Sequence, residues 1–174
     1  GELEEAAMIA GTGSGQPTGA VNGASTGHTL ATINTWTADD LLDFQYSLKR
    51  QYRRNGSFIF NDASIKDIRK LQDANDHWIW QPSMRDGEPD RLLGNPIYSS
   101  YDMAVPSDDP SSKCGLFGDF RMAYYIADRG GTSFQRLNEL YAVSAGAVGF
   151  RAYRRVDGKV VLPEAMKVLL NAAS

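Results

Sequence analysis

The chain is short of the residues from which most active sites and covalent frameworks are built. Its 174 residues include one cysteine, Cys114, and two histidines, His28 and His77. A lone cysteine excludes an intramolecular disulfide framework and suits a reducing compartment. Two distant histidines and one cysteine do not make a zinc site of recognised spacing. No apolar run approaches the ~20 residues that a membrane-spanning helix needs. The opening Gly1-Glu2-Leu3-Glu4-Glu5 is acidic, the reverse of a signal peptide's positive start, so synthesis in the cytoplasm is expected. Positive charge is not in excess either: 18 Lys and Arg stand against 21 Asp and Glu, a net charge of −3. A nucleic-acid footprint usually needs a basic face, so this balance argues against direct nucleic-acid binding while leaving room for a local patch.

What is present is ordinary for a globular protein. The composition, 42% hydrophobic and 22% charged, matches the average for a packed domain. The length fits one domain, or one domain plus part of a second, with a core that needs no disulfide or metal.

Leu3 to Ile9 reads as the last turns of a helix that starts without a capping residue, a hint that the chain was cut from something longer. Turn formers then dominate from Gly11 to His28, which reads as an irregular loop. Thr37 to Arg54 is the clearest helix. Thr37 can cap it, Asp39 and Asp40 open it and Lys49 to Arg54 close it, as the helix dipole favours. Leu41, Phe44, Leu48 and Tyr52 form its buried stripe, and Asn55-Gly56 reads as a left-handed stop.

Ser57 to Phe60 follows as a buried strand. A second helix runs to Leu71, capped by Asp62 or by a Ser64/Asp67 box, with Ile65, Ile68 and Leu71 inward. Beyond it the period shifts towards two. His77 to Trp80, Pro96 to Ser100, Gly115 to Phe120 and Ala123 to Ala127 are short strand candidates, and Tyr141 to Arg154 is a longer one. Asp157-Gly158 suggests a hairpin turn. Pro163 to Leu170 reads equally as a short helix or a final strand. The sum is an α+β fold, two main helices packed on a mostly antiparallel sheet. There is no internal repeat.

Each candidate for chemistry has a plainer reading. The Gly11 to Gly19 loop lacks the Gly-Lys-Ser/Thr ending of a P-loop and the spacing of a dinucleotide fingerprint, so a surface or contact loop is the better account. Ser144 sits in a loose relative of a nucleophile elbow, Ala142-Val143-Ser144-Ala145-Gly146. Both histidines precede it, against the chain order of that fold. Asp102, Asp108 and Asp109 lack the alternation of a calcium loop and read as solvated. Trp78 and Trp80 project to one side of a strand, as a contact surface or as core. Lys49 to Arg54 could meet phosphates, but helix C-termini attract basic residues anyway, and that plainer reading is preferred. No catalytic residue, cofactor or metal site emerges, and an enzyme is not expected.

Six segments, in order, resemble the Hong Kong 97-type major capsid family of tailed phages and prophages. They are Ala10 to Gly19; Leu41-Leu42 through Gly56 into Phe58-Ile59-Phe60-Asn61; Ile68 to Asp73 with Trp78-Ile79-Trp80-Gln81-Pro82; Leu92-Leu93-Gly94-Asn95-Pro96-Ile97; Phe117-Gly118-Asp119-Phe120 with Tyr124 to Arg129; and Tyr153 to Lys159 closing in Pro163 to Leu169. The resemblance implies an axial domain plus the C-terminal part of a peripheral domain. Residues 1–28 would be the end of the spine-helix region with its glycine-rich loop, 29–135 the axial domain, and 136–174 C-terminal strands shared between the two.

It further implies a structural head subunit that assembles into pentamers and hexamers around the viral genome, made in the host cytoplasm and then resident in the virion capsid. An encapsulin-like compartment shell is the alternative, and a small hydrolase using Ser144 a distant one. Implied partners are copies of itself, with a scaffolding segment, maturation protease and portal in the full-length context. Packaged DNA would be met only non-specifically, and no membrane is involved. By family analogy the Ser99 to Lys113 loop, with Asp108, Asp109 and Lys113, is a candidate for contacts near the capsomer axis, and Trp78, Trp80 and Asn138 are further candidates for intersubunit contact. Asn138 aligns with an isopeptide acceptor, but the helping glutamate would fall near Ala145, so autocatalytic cross-linking is not expected.

Overall fold

The computed structural model describes residues 2–72, 90–106, 109–137 and 149–173. Its elements, in chain order, are α1 (Glu2–Ala10), α2 (Ala20–Gly23), β1 (Ser25–Thr29), α3 (Ala38–Ser47), α4 (Arg50–Arg53), β2 (Ser57–Phe60) and α5 (Asp62–Arg69). There follow β3 (Arg91–Leu92), β4 (Asn95–Ser99), β5 (Lys113–Gly118), α6 (Phe120–Ala123), β6 (Tyr124–Leu137), β7 (Gly149–Val160), a 3₁₀ turn at Pro163–Ala165 and β8 (Met166–Leu170). Six strands form one sheet in the order β1-β8-β5-β2-β4-β3. The pairs β8–β5, β5–β2 and β4–β3 are antiparallel, whereas β1–β8 and β2–β4 are parallel. The remaining two strands, β6 and β7, form a separate antiparallel ribbon.

Hydrophobic side chains cover both faces of the sheet. On one face α3 and α5 bury Leu41, Phe44, Ile65 and Ile68 against Phe58, Phe60, Cys114, Phe117 and Leu169. On the other, Ala20, Val21, Met103, Ala123 and Ala165 meet Leu116, Met166 and Val168. The first layer centres on stacked rings. Phe58 and Phe117 lie 4.2 Å apart between centroids at 23°, Phe44 packs within 6.3 Å of both, and Trp36 meets Phe60 edge-on at 5.6 Å. Such ring pairs contribute about 0.5–1.5 kcal/mol each beyond their burial. The rings need bare backbone beside them: a Cβ on Gly115 would sit 2.3 Å from the Phe60 ring, and one on Gly56 would sit 2.8 Å from that of Phe117.

Several expectations are corrected. The helix expected over Thr37 to Arg54 breaks at Leu48 and Lys49, which are extended (ψ 137° and 142°). The break swings Leu48 fully into the core, and the Arg53 guanidinium donates to the freed Leu48 carbonyl at 2.9 Å. Gly56 is not left-handed; its lack of a side chain serves Phe117. The cap of α5 is Asn61, whose side-chain oxygen accepts from the Ala63 amide, while Ser64 is buried. Ser25 to Thr29, expected as loop, is a strand. Asp157-Gly158 makes no turn: both residues lie within β7, opposite Ala127 and Ile126. The two readings of Pro163 to Leu170 are each half right, a 3₁₀ turn followed by a strand.

A polar cluster ties α3 to the edge strand β1. Asp40, 3% exposed, accepts from Thr37 Oγ1 at 2.6 Å and from the Ala31 amide at 3.2 Å, and pairs with His28 Nε2 at 2.9 Å. Thr37 caps α3 as expected, accepting from the Asp40 amide. Burial alone would raise the Asp40 pKa, but the bonds from Thr37, His28 and Ala31 together outweigh it and hold the carboxyl below its usual 3.8. A depressed carboxylate adds stability above its unfolded-state pKa and loses it as pH falls through the folded one. Asp40→Asn should therefore cost on the order of 1–3 kcal/mol at pH 7, with the difference from wild type closing at the acid end of a urea-denaturation series. The Cys114 thiol is fully buried and its pKa is pushed up to about 12 by desolvation. It should resist maleimide in the native protein and react fully only after unfolding; labelling of the folded chain at the rate of a free thiol would contradict this placement.

Candidate contact surfaces

The segment from Ser99 to Lys113 is pinned from beneath by a buried asparagine. Asn171, fully buried, donates through Nδ2 to the carbonyls of Pro106 and Asp109 and to Asn34 Oδ1, while its Oδ1 accepts from the Asn34 amide. Its backbone amide donates to Ser112 at 2.8 Å. At the other end Ser100 Oγ donates to Glu5 on α1 at 2.9 Å, and Asn61 Nδ2 holds the Met103 carbonyl at 2.8 Å. Burying an amide is tolerable only when its donors and acceptor are used, as here. Asp109 consequently stands exposed on a fixed backbone. Lys113 turns its ammonium inward to α2, donating to Asn22 Oδ1 at 3.0 Å and to the Val21 carbonyl at 3.3 Å.

The ribbon is the other candidate surface. Its base is tied to the sheet: Val161 donates to the Ala123 carbonyl, Thr18 to the Gly158 carbonyl, and the Tyr124 hydroxyl to the Thr18 carbonyl. Beyond that base nearly every residue is exposed. Register and strand alternation separate two faces. One carries Phe134 (79% exposed), Phe150 (76%) and Ile126, with Asp128 paired to Arg154 Nε at 2.9 Å. Arg154 also feels the charge of Glu4, so α1 lies towards this face. The second face carries Tyr125, Arg129, Arg151, Tyr153, Arg155 and Lys159. Gly130 and Gly131, both left-handed, mark the bulge where the register shifts. A two-stranded ribbon is at best marginal in water, and exposed phenylalanines point to a contact surface.

Asp108, Trp78, Trp80 and Asn138 lie outside the described residues, as do His77 and Ser144. Of Lys49 to Arg54, Lys49 pairs with Glu164, which also accepts from Tyr52 at 3.0 Å, and Arg53 stacks 4.2 Å over the Tyr46 ring. No group of three His, Cys, Asp or Glu among the described residues could hold a metal ion. No described helix is long and apolar enough to cross a membrane. In the sequence Tyr124 to Arg129 and Tyr153 to Lys159 stand out as motifs, but nothing there marks the β6–β7 ribbon as a contact surface.

The phage capsid family model matches residues 1–170. Among solved structures, the capsid of an empty GTA particle computed with C5 symmetry is 31% identical, with a TM-score of 0.84 over 98% of this chain and 62% of that one. The capsid of the native GTA particle is 30% identical, also at 0.84, over 99% of this chain and 61% of that one. A chain of Gordonia phage Cozz, 18% identical with a TM-score of 0.64 over 99% of this chain and 59% of that one, shares the fold. No curated protein matches. This chain thus spans about three fifths of the length of the solved chains it resembles.

Proposed function

The chain belongs to the phage capsid family, and on that footing we propose that it forms part of a structural subunit of an icosahedral phage head, self-assembling into pentamers and hexamers around the genome. The observation that carries this reading is the agreement over 98% of the chain with the capsid of a particle that is itself assembled. The relatives are capsids of phages and of GTA particles, which supports the phage branch over a compartment shell. Nothing catalytic competes with it among the described residues, where His28 is engaged by Asp40 and Cys114 is buried.

In this reading the six-stranded sheet with α3 and α5 is the axial unit, and the ribbon with α1 belongs to the peripheral one. Contacts around five-fold and six-fold axes are heterologous, one face meeting a different face of the next copy. The ribbon suits that role because a subunit alone leaves Phe134 and Phe150 in water. The loop carrying Asp108 and Asp109 is the contact near the capsomer axis, held in shape by Asn171. Scaffolding, protease and portal partners, assembly in the host cytoplasm and residence in the virion follow from the same reading.

Negative-stain electron microscopy of the complete gene product, beside the 174-residue chain, tests it directly. Closed shells are expected from the complete product and dispersed particles from the shorter chain; empty fields from the complete product at every concentration and salt would refute the capsid reading. Replacing Asp108 and Asp109 together by Lys should lower shell yield. Shells at the wild-type yield would remove the axial assignment of that loop.

A further inference from the structure

The second face of the ribbon carries an electrostatic cost that the subunit does not offset. Arg129 and Arg155 are directly opposed across the β6–β7 pair. Directly opposed side chains in an antiparallel pair have Cβ atoms about 5 Å apart, and like charges there are destabilising. Arg151 and Lys159 lie four residues to either side of Arg155 on the same strand, so alternation puts them on the same face. All four cations are exposed, and none has a carboxylate partner among the described residues. Arg151 instead lies over the Tyr153 ring, 5.9 Å from its centroid. A single acid, Asp157, shares the face. The opposite face does have a pair, Asp128 with Arg154, beside one further exposed cation, Arg136, opposite Phe150.

We infer that this face is a docking surface for an acidic patch on a neighbouring copy of the same chain, a partner assignment that rests on the capsid reading. Charge complementarity favours that occupant. The face holds four cations and one acid within 174 residues of net charge −3, so the remainder of those residues is acidic. Its composition points the same way, since arginine and tyrosine are the residues that protein interfaces concentrate while lysine is depleted, and three of the four cations are arginine. A phosphodiester backbone would be met as readily by lysine, and it gains nothing from Tyr125 and Tyr153 unless bases are unpaired. The opposed arginines thus act as a repulsion in the free subunit that a neighbour's carboxylates relieve. Assembly is favoured over the isolated state by the same pair of residues.

Arg155→Glu separates this role from a purely structural one, because it places a carboxylate opposite Arg129 within the same ribbon. In the complete gene product we expect the dissociated R155E subunit to melt at or above the wild-type temperature. Its assembled fraction, read by sedimentation at physiological salt, should fall by about tenfold or more, as the loss of a close interfacial charge coupling implies. Arg155→Lys should assemble as wild type, and wild-type assembly should weaken as salt rises. R155E shells at the wild-type yield would overturn the assignment while leaving the capsid reading intact; a parallel fall in duplex-DNA binding would then give the face to nucleic acid. A melting temperature that falls together with assembly traces the effect to folding and also overturns it. A wild-type product that never self-associates overturns both readings.

Discussion

The fold hangs on the contact between the Phe58 and Phe117 rings, 4.2 Å apart on adjacent strands at the middle of the sheet. Phe44 brings α3 down onto that pair, Phe60 extends the stack towards Trp36, and the chain leaves glycine wherever a ring must lie against backbone. A close-packed interior of this kind does not yield gradually, so strand order, helix position and the break in the α3–α4 region are set together. Leu48 shows the strength of the constraint. Continuing the helix through it would keep the local hydrogen bonds, yet the backbone turns extended to deliver that side chain to the core.

The parts legible in the sequence are those whose burial is one-sided and local. The stripe of α3, its Thr37 cap, the apolar run of β2 and the strands around Ile97 and Leu116 all announce themselves, because the face that packs is supplied within the same stretch of chain. The strand Ser-Thr-Gly-His-Thr does not. It is a polar edge strand whose hydrogen bonds come from β8, some 140 residues away, and edge strands are where polar residues belong. The ribbon was only partly legible for a related reason. With both faces exposed it has no inside, so the alternation that marks a half-buried strand is missing. Asp157-Gly158 misled because a turn-forming pair also fits mid-strand when a large side chain crosses it, here that of Tyr124.

The family was legible from ordered motifs, whereas the opposed charges of the ribbon were not. Motifs such as Leu92-Leu93-Gly94-Asn95-Pro96 encode a backbone path, which a subunit carries whole: Leu93 and Gly94 take left-handed conformations and Asn95 binds the Arg53 and Gly56 carbonyls. A contact surface is half of an arrangement whose other half lies on a different copy. Lys113 looked available in the sequence and is engaged with α2. Arg129 and Arg155 looked unremarkable and become notable only once register sets them face to face.

The position of β8 has a consequence for the order in which the molecule can be completed. It is the last of the described strands in chain order, yet it lies second in the sheet, between β1 and β5. Until residue 170 is available, β1 has no neighbour, and the inner edge of β5 is an open ladder flanked by an unfinished core. Pairings so distant along the chain form late and slowly. The six-stranded sheet therefore cannot close until the chain has been made through Leu170. A chain truncated before β8 is left with the open, aggregation-prone edge of β5.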